Sequence, residues 1–159
     1  MTVTVYRLTK LPYQKQIFSG IGGLYAHGRW TRRGRPVVYA SQSIALAVLE
    51  YTLNYKRRGW VPASVLGRAT IPDDVAIDAV EVSELPRNWS DPDPSSMLRE
   101  IGEDWLERGA TAVLKVPSAV VTEESNYLLN PEHPDFKKLT IGKSMRYQFD
   151  RRLTRSRRT

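Results

Sequence analysis

The sequence predicts one small domain of mixed strands and helices, on three observations. Its 159 residues are 41% hydrophobic, enough for one core and too few for two comfortable ones. Short runs with strand-like alternation recur at residues 2–8, 64–71, 76–82, 111–116 and 145–149. Two runs of helical spacing stand among them, one at residues 42–55 and one that Asp93-Pro94-Ser95-Ser96 starts and Gly109 ends.

Composition then excludes several classes. No run of about 18 apolar residues and no charged-then-apolar leader is visible, so neither a membrane span nor a secretory signal is expected, and the expected compartment is the cytoplasm. With no cysteine there is no thiolate chemistry, and with His27 and His133 as the two histidines no metal site is expected. The net charge of +7 invites nucleic acid as a partner. Residues 151–159, however, hold Arg151, Arg152, Arg155, Arg157 and Arg158 without an acid, and the body without them is +2. Such a tail reads as a solvated terminus, so the expected division is a domain over residues 1–153 and a basic tail over 154–159.

Arg7 stands near the end of the first strand, either as a solvated strand-end residue or as an anion ligand. Gly20, Gly22, Gly23 and Gly28 then crowd a loop where backbone turns sharply or approaches a ligand. A dinucleotide fingerprint from Gly20 fails because Tyr25 holds the third glycine position. Gly142-Lys143-Ser144 resembles the end of a Walker loop, but Lys137 stands where its first glycine belongs.

Residues 29–39 have the composition of a hairpin or of a short loop between strands, and a turn centred on Gly34 would place Arg29 and Tyr39 opposite each other on one face. Ser41 or Ser43 caps the helix that follows. On that helix the neighbours of Glu50 three and four positions away are Leu46, Ala47, Leu53 and Asn54. A carboxylate in apolar company needs a partner or a task; a structural pair with an arginine and a catalytic role both satisfy that need.

Met97, Leu98, Ile101 and Trp105 form the core face of the second helix, closed by Gly109. Residues 119–122 are expected to be extended and 124–131 to be a polar turn, where Ser125 and Asn126 either bond local backbone or line a site. His133, between Pro131 and Pro134, reads as a loop residue.

An arginine pairs with phosphate, a tyrosine ring packs on a cationic nicotinamide, and a glutamate holds a ribose and steadies an oxocarbenium-like transition state. Arg29, Tyr39 and Glu50 thus suit a dinucleotide substrate. The sequence also resembles a known family. Gly28-Arg29-Trp30, Gly34-x-Pro36-Val-Val-Tyr39-Ala-Ser41, Ala45-Leu46-Ala47-Val48-Leu49-Glu50, Val116-Pro117-Ser118-Ala119 and Glu124-Ser125-Asn126-Tyr127-Leu128-Leu129-Asn130-Pro131-x-His133-Pro134 together look like the RES domain, the toxin of RES–Xre toxin–antitoxin pairs. Its eponymous Arg, Glu and Ser correspond to Arg29, Glu50 and Ser125, with Arg7 as a second arginine. Arg151 replaces a proline common near the family's C-terminus, which leaves the path of the last strand open.

The resemblance implies an α+β, ADP-ribosyltransferase-like fold with two small facing β-sheets around an NAD cleft. It implies NAD as substrate rather than a prosthetic group, cleaved at the nicotinamide–ribose bond by hydrolysis or by phosphorolysis with inorganic phosphate as co-substrate. Glu50, Arg29 and Tyr39 are then catalytic, and Arg7, Arg29, Tyr39, Ser125 and Asn126 bind the dinucleotide. The implied partner is an Xre-like helix-turn-helix antitoxin, through which DNA is contacted indirectly. An ADP-ribosyltransferase acting on a protein, a ribonuclease or nucleic-acid-binding toxin, and a nucleotide-binding module without turnover are the competing readings.

Overall fold

The structure is a computed structural model and describes residues 2–56, 60–93 and 96–154. In chain order it comprises β1 (Val3–Lys10), two 3-10 turns (Leu11–Gln16, Ile21–Leu24), β2 (Val38–Ser41), α1 (Ile44–Lys56), β3 (Ser64–Ile71) and β4 (Ile77–Ala79). A 3-10 turn (Val82–Glu84), α2 (Ser96–Arg108), β5 (Val113–Pro117), β6 (Ser125–Leu129), another 3-10 turn (Pro134–Lys138), β7 (Thr140–Ile141), β8 (Met145–Tyr147) and α3 (Arg151–Thr154) follow. The basic tail expected from residue 154 onward falls, from 155, outside the described residues.

The strands form one ladder in the order β4-β5-β6-β2-β1-β3-β7, with β8 also on β3. Only β4 and β5 run parallel among these pairs. β1 pairs with β3 along its whole length, Val3 with Ile71 through Lys10 with Ser64, whereas β1 meets β2 through a single pair, Tyr6 with Ser41. The sheet therefore has two limbs hinged at that pair. These limbs are what the resemblance anticipates as two small sheets, here joined in one mixed sheet that curls.

Strand alternation explains the curl. Val5, Val38, Ala40, Val65, Ala69, Val113, Tyr127 and Leu129 come from both limbs yet share one buried cluster, so the two limbs close on a common inner face. Residues of opposite parity point outward. On the β1–β3 limb, Leu8 and Leu66 pack under Ala47, Val48 and Tyr51 of α1; on the β5–β6 limb, Leu114, Val116 and Leu128 pack under Leu98, Trp105 and Leu106 of α2 with Trp30 and Trp89. Each fully buried aliphatic side chain contributes about 1.5–3 kcal/mol, and both faces of the sheet carry such residues.

Several local expectations change. No hairpin joins residues 29–39: Gly34 N–H donates to Gly23 O and Val37 N–H to Gly20 O, so the glycine loop takes the hydrogen bonds a partner strand would have made. Residues 119–122 are bends and a turn, while Ser125–Leu129 is a strand. Met97 is 47% exposed, and Gly102 and Leu106 take its place in the buried face of α2. Phe149 lies beyond β8, and Asp150 caps α3 by accepting from Arg152 N–H at 2.8 Å. The expected caps hold: Ser43 Oγ accepts from Leu46 N–H at 3.1 Å, and Gly109 adopts φ 58° after α2.

Gly102 fixes how closely α2 approaches the segment that carries Arg29. A Cβ there would drive into the Trp30 carbonyl oxygen. Alanine exceeds glycine in helix propensity by about 1 kcal/mol, so a surface helix would gain from Gly102→Ala. Here overpacking of about 1–3 kcal/mol outweighs that gain, and the melting temperature of Gly102→Ala should fall by about 5 °C; an unchanged or higher value in a thermal melt refutes the close approach.

Candidate functional site

The candidate site lies on the outer face of the second limb, beside α1. Cross-strand pairing puts Tyr39 opposite Leu128 and Ser41 opposite Asn126, and Val116 opposite Asn126 from the other side. Period-two alternation thus carries Tyr39, Ser41 and Asn126 to the face where α1 delivers Glu50.

Glu50 is half-buried and its Oε1 is held by two donors: Ser118 Oγ at 2.9 Å and Asn126 Nδ2 at 2.7 Å. Both donors are themselves fixed. Ser118 is fully buried, and its Oγ accepts from the N–H groups of Val120 and Val121, each at 3.1 Å. Asn126 Oδ1 accepts from Ser41 Oγ at 2.8 Å, which leaves the amide group no freedom to flip. No hydrogen bond reaches Glu50 Oε2 among the described residues, so one carboxylate oxygen is anchored and the other is free for a ligand.

Arg29 enters from the segment before β2. Its Nη1 donates to Trp89 O at 3.0 Å and Asp91 O at 2.8 Å, a fork that ties it to the loop ahead of α2. Burial pushes its pKa below the ordinary arginine value, while the Glu50 carboxylate and then Asp91 pull it up. The Glu50 carboxylate thus bears on the Arg29 guanidinium, and no salt bridge joins the two among the described residues.

Tyr39 is held from its hydroxyl end. Its OH lies 2.6 Å from Thr31 Oγ1 and accepts from Trp30 N–H at 3.3 Å; a side chain at Gly28 would strike the phenol. The ring backs the Arg29 segment, packed against the α2 cluster, rather than projecting across a hairpin. α2 grips the same segment: Arg99 Nε donates to Gly28 O at 3.0 Å, Glu103 Oε1 accepts from Arg32 N–H at 2.6 Å, and Glu107 pairs with Arg35 at 3.3 Å.

Two further residues named from sequence do not touch Glu50 among the hydrogen bonds of the described residues. Arg7 donates from Nε to Ile17 O at 2.8 Å and from Nη1 to Tyr39 O at 2.9 Å; desolvation lowers its pKa, and it joins β2 to the segment after the first 3-10 turn. Ser125 exchanges backbone bonds with Gln42, its N–H donating to Oε1 at 2.8 Å, and its hydroxyl makes no hydrogen bond among the described residues. The serine that reaches Glu50 is Ser118, which carried no role in the sequence reading. Its signal was available: a serine hydroxyl followed by free N–H groups two and three residues on favours a local turn.

Trp30 is 2% exposed and fills the α2 cluster, which removes it as a base-stacking platform. Two surface concavities, one along residues 11–16 and one beside Val3 and Ile71, lie apart from Glu50. His27 Nδ1 accepts from Arg33 N–H at 3.1 Å and His133 Nδ1 from Asp135 N–H at 3.0 Å. Among the described residues no cluster of His, Asp and Glu is arranged to hold a metal ion, and no helix is long and apolar enough to cross a membrane.

The fold is that of a toxin structure. It superposes on the crystal structure of the M. tuberculosis MbcT–MbcA toxin–antitoxin complex with a TM-score of 0.75 at 15% identity, over 92% of this chain and 85% of that one. The RES domain matches residues 4–150, and the chain belongs to the RES-domain family. It is 36% identical to Toxin Res of Photorhabdus laumondii over 97% of this chain and 99% of the relative. It is 34% identical to the Prs ADP-ribosylating toxin of a Sphingobium species, over 98% and 99% of the two chains.

Two predictions follow from the geometry. Ser118→Ala leaves two backbone N–H groups and Glu50 short of a partner, and unsatisfied buried groups cost about 1–3 kcal/mol, so the melting temperature should fall by about 6 °C; an unchanged melt refutes the anchoring. Burial raises the Tyr39 pKa to about 12, above the ordinary value near 10. The neutral phenol is favoured by the fold, so stability is intact below pH 10 and is lost as pH rises toward 12, by up to about 3 kcal/mol from this group. Denaturation midpoints between pH 9 and pH 12 check this, with the loss reduced in Tyr39→Phe.

Proposed function

We propose that this protein is the toxin of a toxin–antitoxin pair and that it cleaves the nicotinamide–ribose bond of NAD, with hydrolysis or phosphorolysis releasing nicotinamide and arresting growth in the cytoplasm. One observation carries the reading: Glu50 is anchored at Oε1 by Ser118 and Asn126 while Oε2 stays open, with the Arg29 guanidinium in electrostatic reach. A carboxylate so preorganised steadies an oxocarbenium-like ribose without reorganising as charge develops.

The roles divide accordingly. Arg29 takes the pyrophosphate through the guanidinium nitrogens not bonded to the Trp89 and Asp91 carbonyls. Tyr39 walls the nicotinamide end, Glu50 Oε2 meets the ribose, and Asn126 and Ser118 orient Glu50. Arg7 supports the site through the Tyr39 backbone, and Ser125 lines the approach beside Asn126. NAD is the substrate, and no prosthetic group enters.

ADP-ribosyl transfer to a protein uses the same bond cleavage with a different acceptor. The name of the Sphingobium relative favours that second reading. An enzyme acting on so central a metabolite requires restraint, and the structural neighbour was solved with an antitoxin; the partner proposed here is an Xre-like helix-turn-helix antitoxin.

Purified protein incubated with NAD should release free nicotinamide, with added phosphate distinguishing phosphorolysis from hydrolysis and label retained on protein marking transfer. Glu50→Gln keeps an acceptor for Ser118 and Asn126 but loses the charge; its turnover should fall about a hundredfold, with melting unchanged. Arg29→Ala should raise KM more than it lowers kcat. Absence of nicotinamide release, or wild-type turnover in Glu50→Gln, overturns the reading.

A further inference from the structure

The positive charge of the chain is confined to one end. Residues 137–159 hold nine lysines and arginines against one acid, Asp150, whereas residues 1–136 hold 15 basic and 16 acidic residues. The last stretch therefore carries +8 and the rest of the chain −1, which together make the net +7.

The fold gathers the described part of that stretch at one rim of the sheet. β7 and β8 both pair with β3. Lys137 lies just before β7, Lys143 lies between β7 and β8, Arg146 is on β8, and Arg151 opens α3. All four are exposed, and none forms a salt bridge among the described residues. Neighbouring cations are already neutralised: Lys138 by Asp135 at 3.0 Å and Asp74 at 3.6 Å, Arg152 by Asp150 at 3.0 Å. Like charges brought together without counter-charge raise the energy of the free protein and are relieved by an anionic ligand.

The chemistry of that ligand follows from what accompanies the cations. Ile141 pairs with Ala69, which faces the inner core, and Met145 pairs with Leu66, which faces α1. These two exposed apolar residues thus lie on opposite faces, and a third, Leu153, stands on α3; exposed cations run among all three, whereas the centre of a protein interface is depleted of charge. Dispersed point cations along a rim, with exposed Thr140 and Gln148 between them, match the repeating phosphates of a nucleic-acid backbone.

We propose that the β3–β7–β8 rim binds the sugar–phosphate backbone of double-stranded nucleic acid without reading its sequence, through cations that take no part in the Glu50 site. β1 and β3 intervene between β7 and β2, about 14 Å at the usual strand spacing, whereas the β8 end adjoins α1, where Phe149 stacks on Tyr51 with ring centroids 5.8 Å apart. The contact is direct, in addition to any made through an antitoxin, and it does not depend on the NAD reading.

The test uses the full chain and a fluorescein-labelled duplex of about 20 base pairs and arbitrary sequence, with anisotropy measured from about 50 to about 200 mM NaCl. Wild type should bind with a steep salt dependence. Lys143→Ala/Arg146→Ala should weaken binding about tenfold or more and reduce the slope of log K against log[NaCl] by about 2. Lys137→Ala/Arg151→Ala should act in the same direction, and nicotinamide release should be unchanged in both. The proposal is overturned if wild type shows no salt-dependent binding, if both double variants bind as wild type does, or if polyglutamate or phosphatidylserine vesicles bind more tightly than the duplex at equal charge.

Discussion

The site depends on two hydrogen bonds arriving at one oxygen. Ser118 and Asn126 approach Glu50 Oε1 from the end of β5 and from the start of β6, so the carboxylate is positioned by the β5–β6 connection as much as by its own helix. A glutamate has three rotatable side-chain bonds, and holding it in one geometry costs conformational entropy. Paying that cost during folding, through donors whose other valences are met by Val120, Val121 and Ser41, leaves little reorganisation for a reaction at Oε2.

The arginine half of the site is built by a different device. Residues 28–35 make no ladder of their own, and α2 supplies what a sheet would otherwise provide. Arg99, Glu103 and Glu107 recur at helical spacing and bond Gly28 O, Arg32 N–H and the Arg35 side chain in turn, with Gly102 admitting the Trp30 carbonyl between them. Glu50 thus rides on α1 and β6, and Arg29 rides on α2. Their separation is set by how the two helices pack on the outer faces of the two limbs, so a core change under either helix reaches the site without touching a ligand.

Local pattern carried the helices and the long strands, and it also marked Glu50. The apolar company of Glu50 pointed to a carboxylate in need of a partner, yet Leu46 and Ala47 are buried while Leu53 and Asn54 are exposed, so Glu50 stands at the edge of buried and open surface. The hairpin failed because its competitor was distant: the carbonyls of Gly20 and Gly23 satisfy the N–H groups of Val37 and Gly34, and no window about Gly34 contains that information. For Arg7 the sequence admits either solvent or an anion. The structure gives two backbone carbonyls at Ile17 and Tyr39, partners fixed by chain path rather than by residue type. Ser125 and Ser118 differ in the same way, because strand parity and the turn after β5 decide which hydroxyl meets Glu50.

Charge was the least faithful guide when taken as a sum. A net +7 spread evenly would create a field around the whole molecule and blur substrate attraction with polyanion attraction. Its confinement beyond residue 136 separates the two. At the Glu50 site the guanidinium and the carboxylate are both partly buried, and solvent screens such charges less. At the β7–β8 rim the cations stand in water, where salt screens them beyond about 10 Å. Ionic strength should therefore govern one surface and leave the other largely indifferent, a consequence of where the sheet places each group rather than of how many there are.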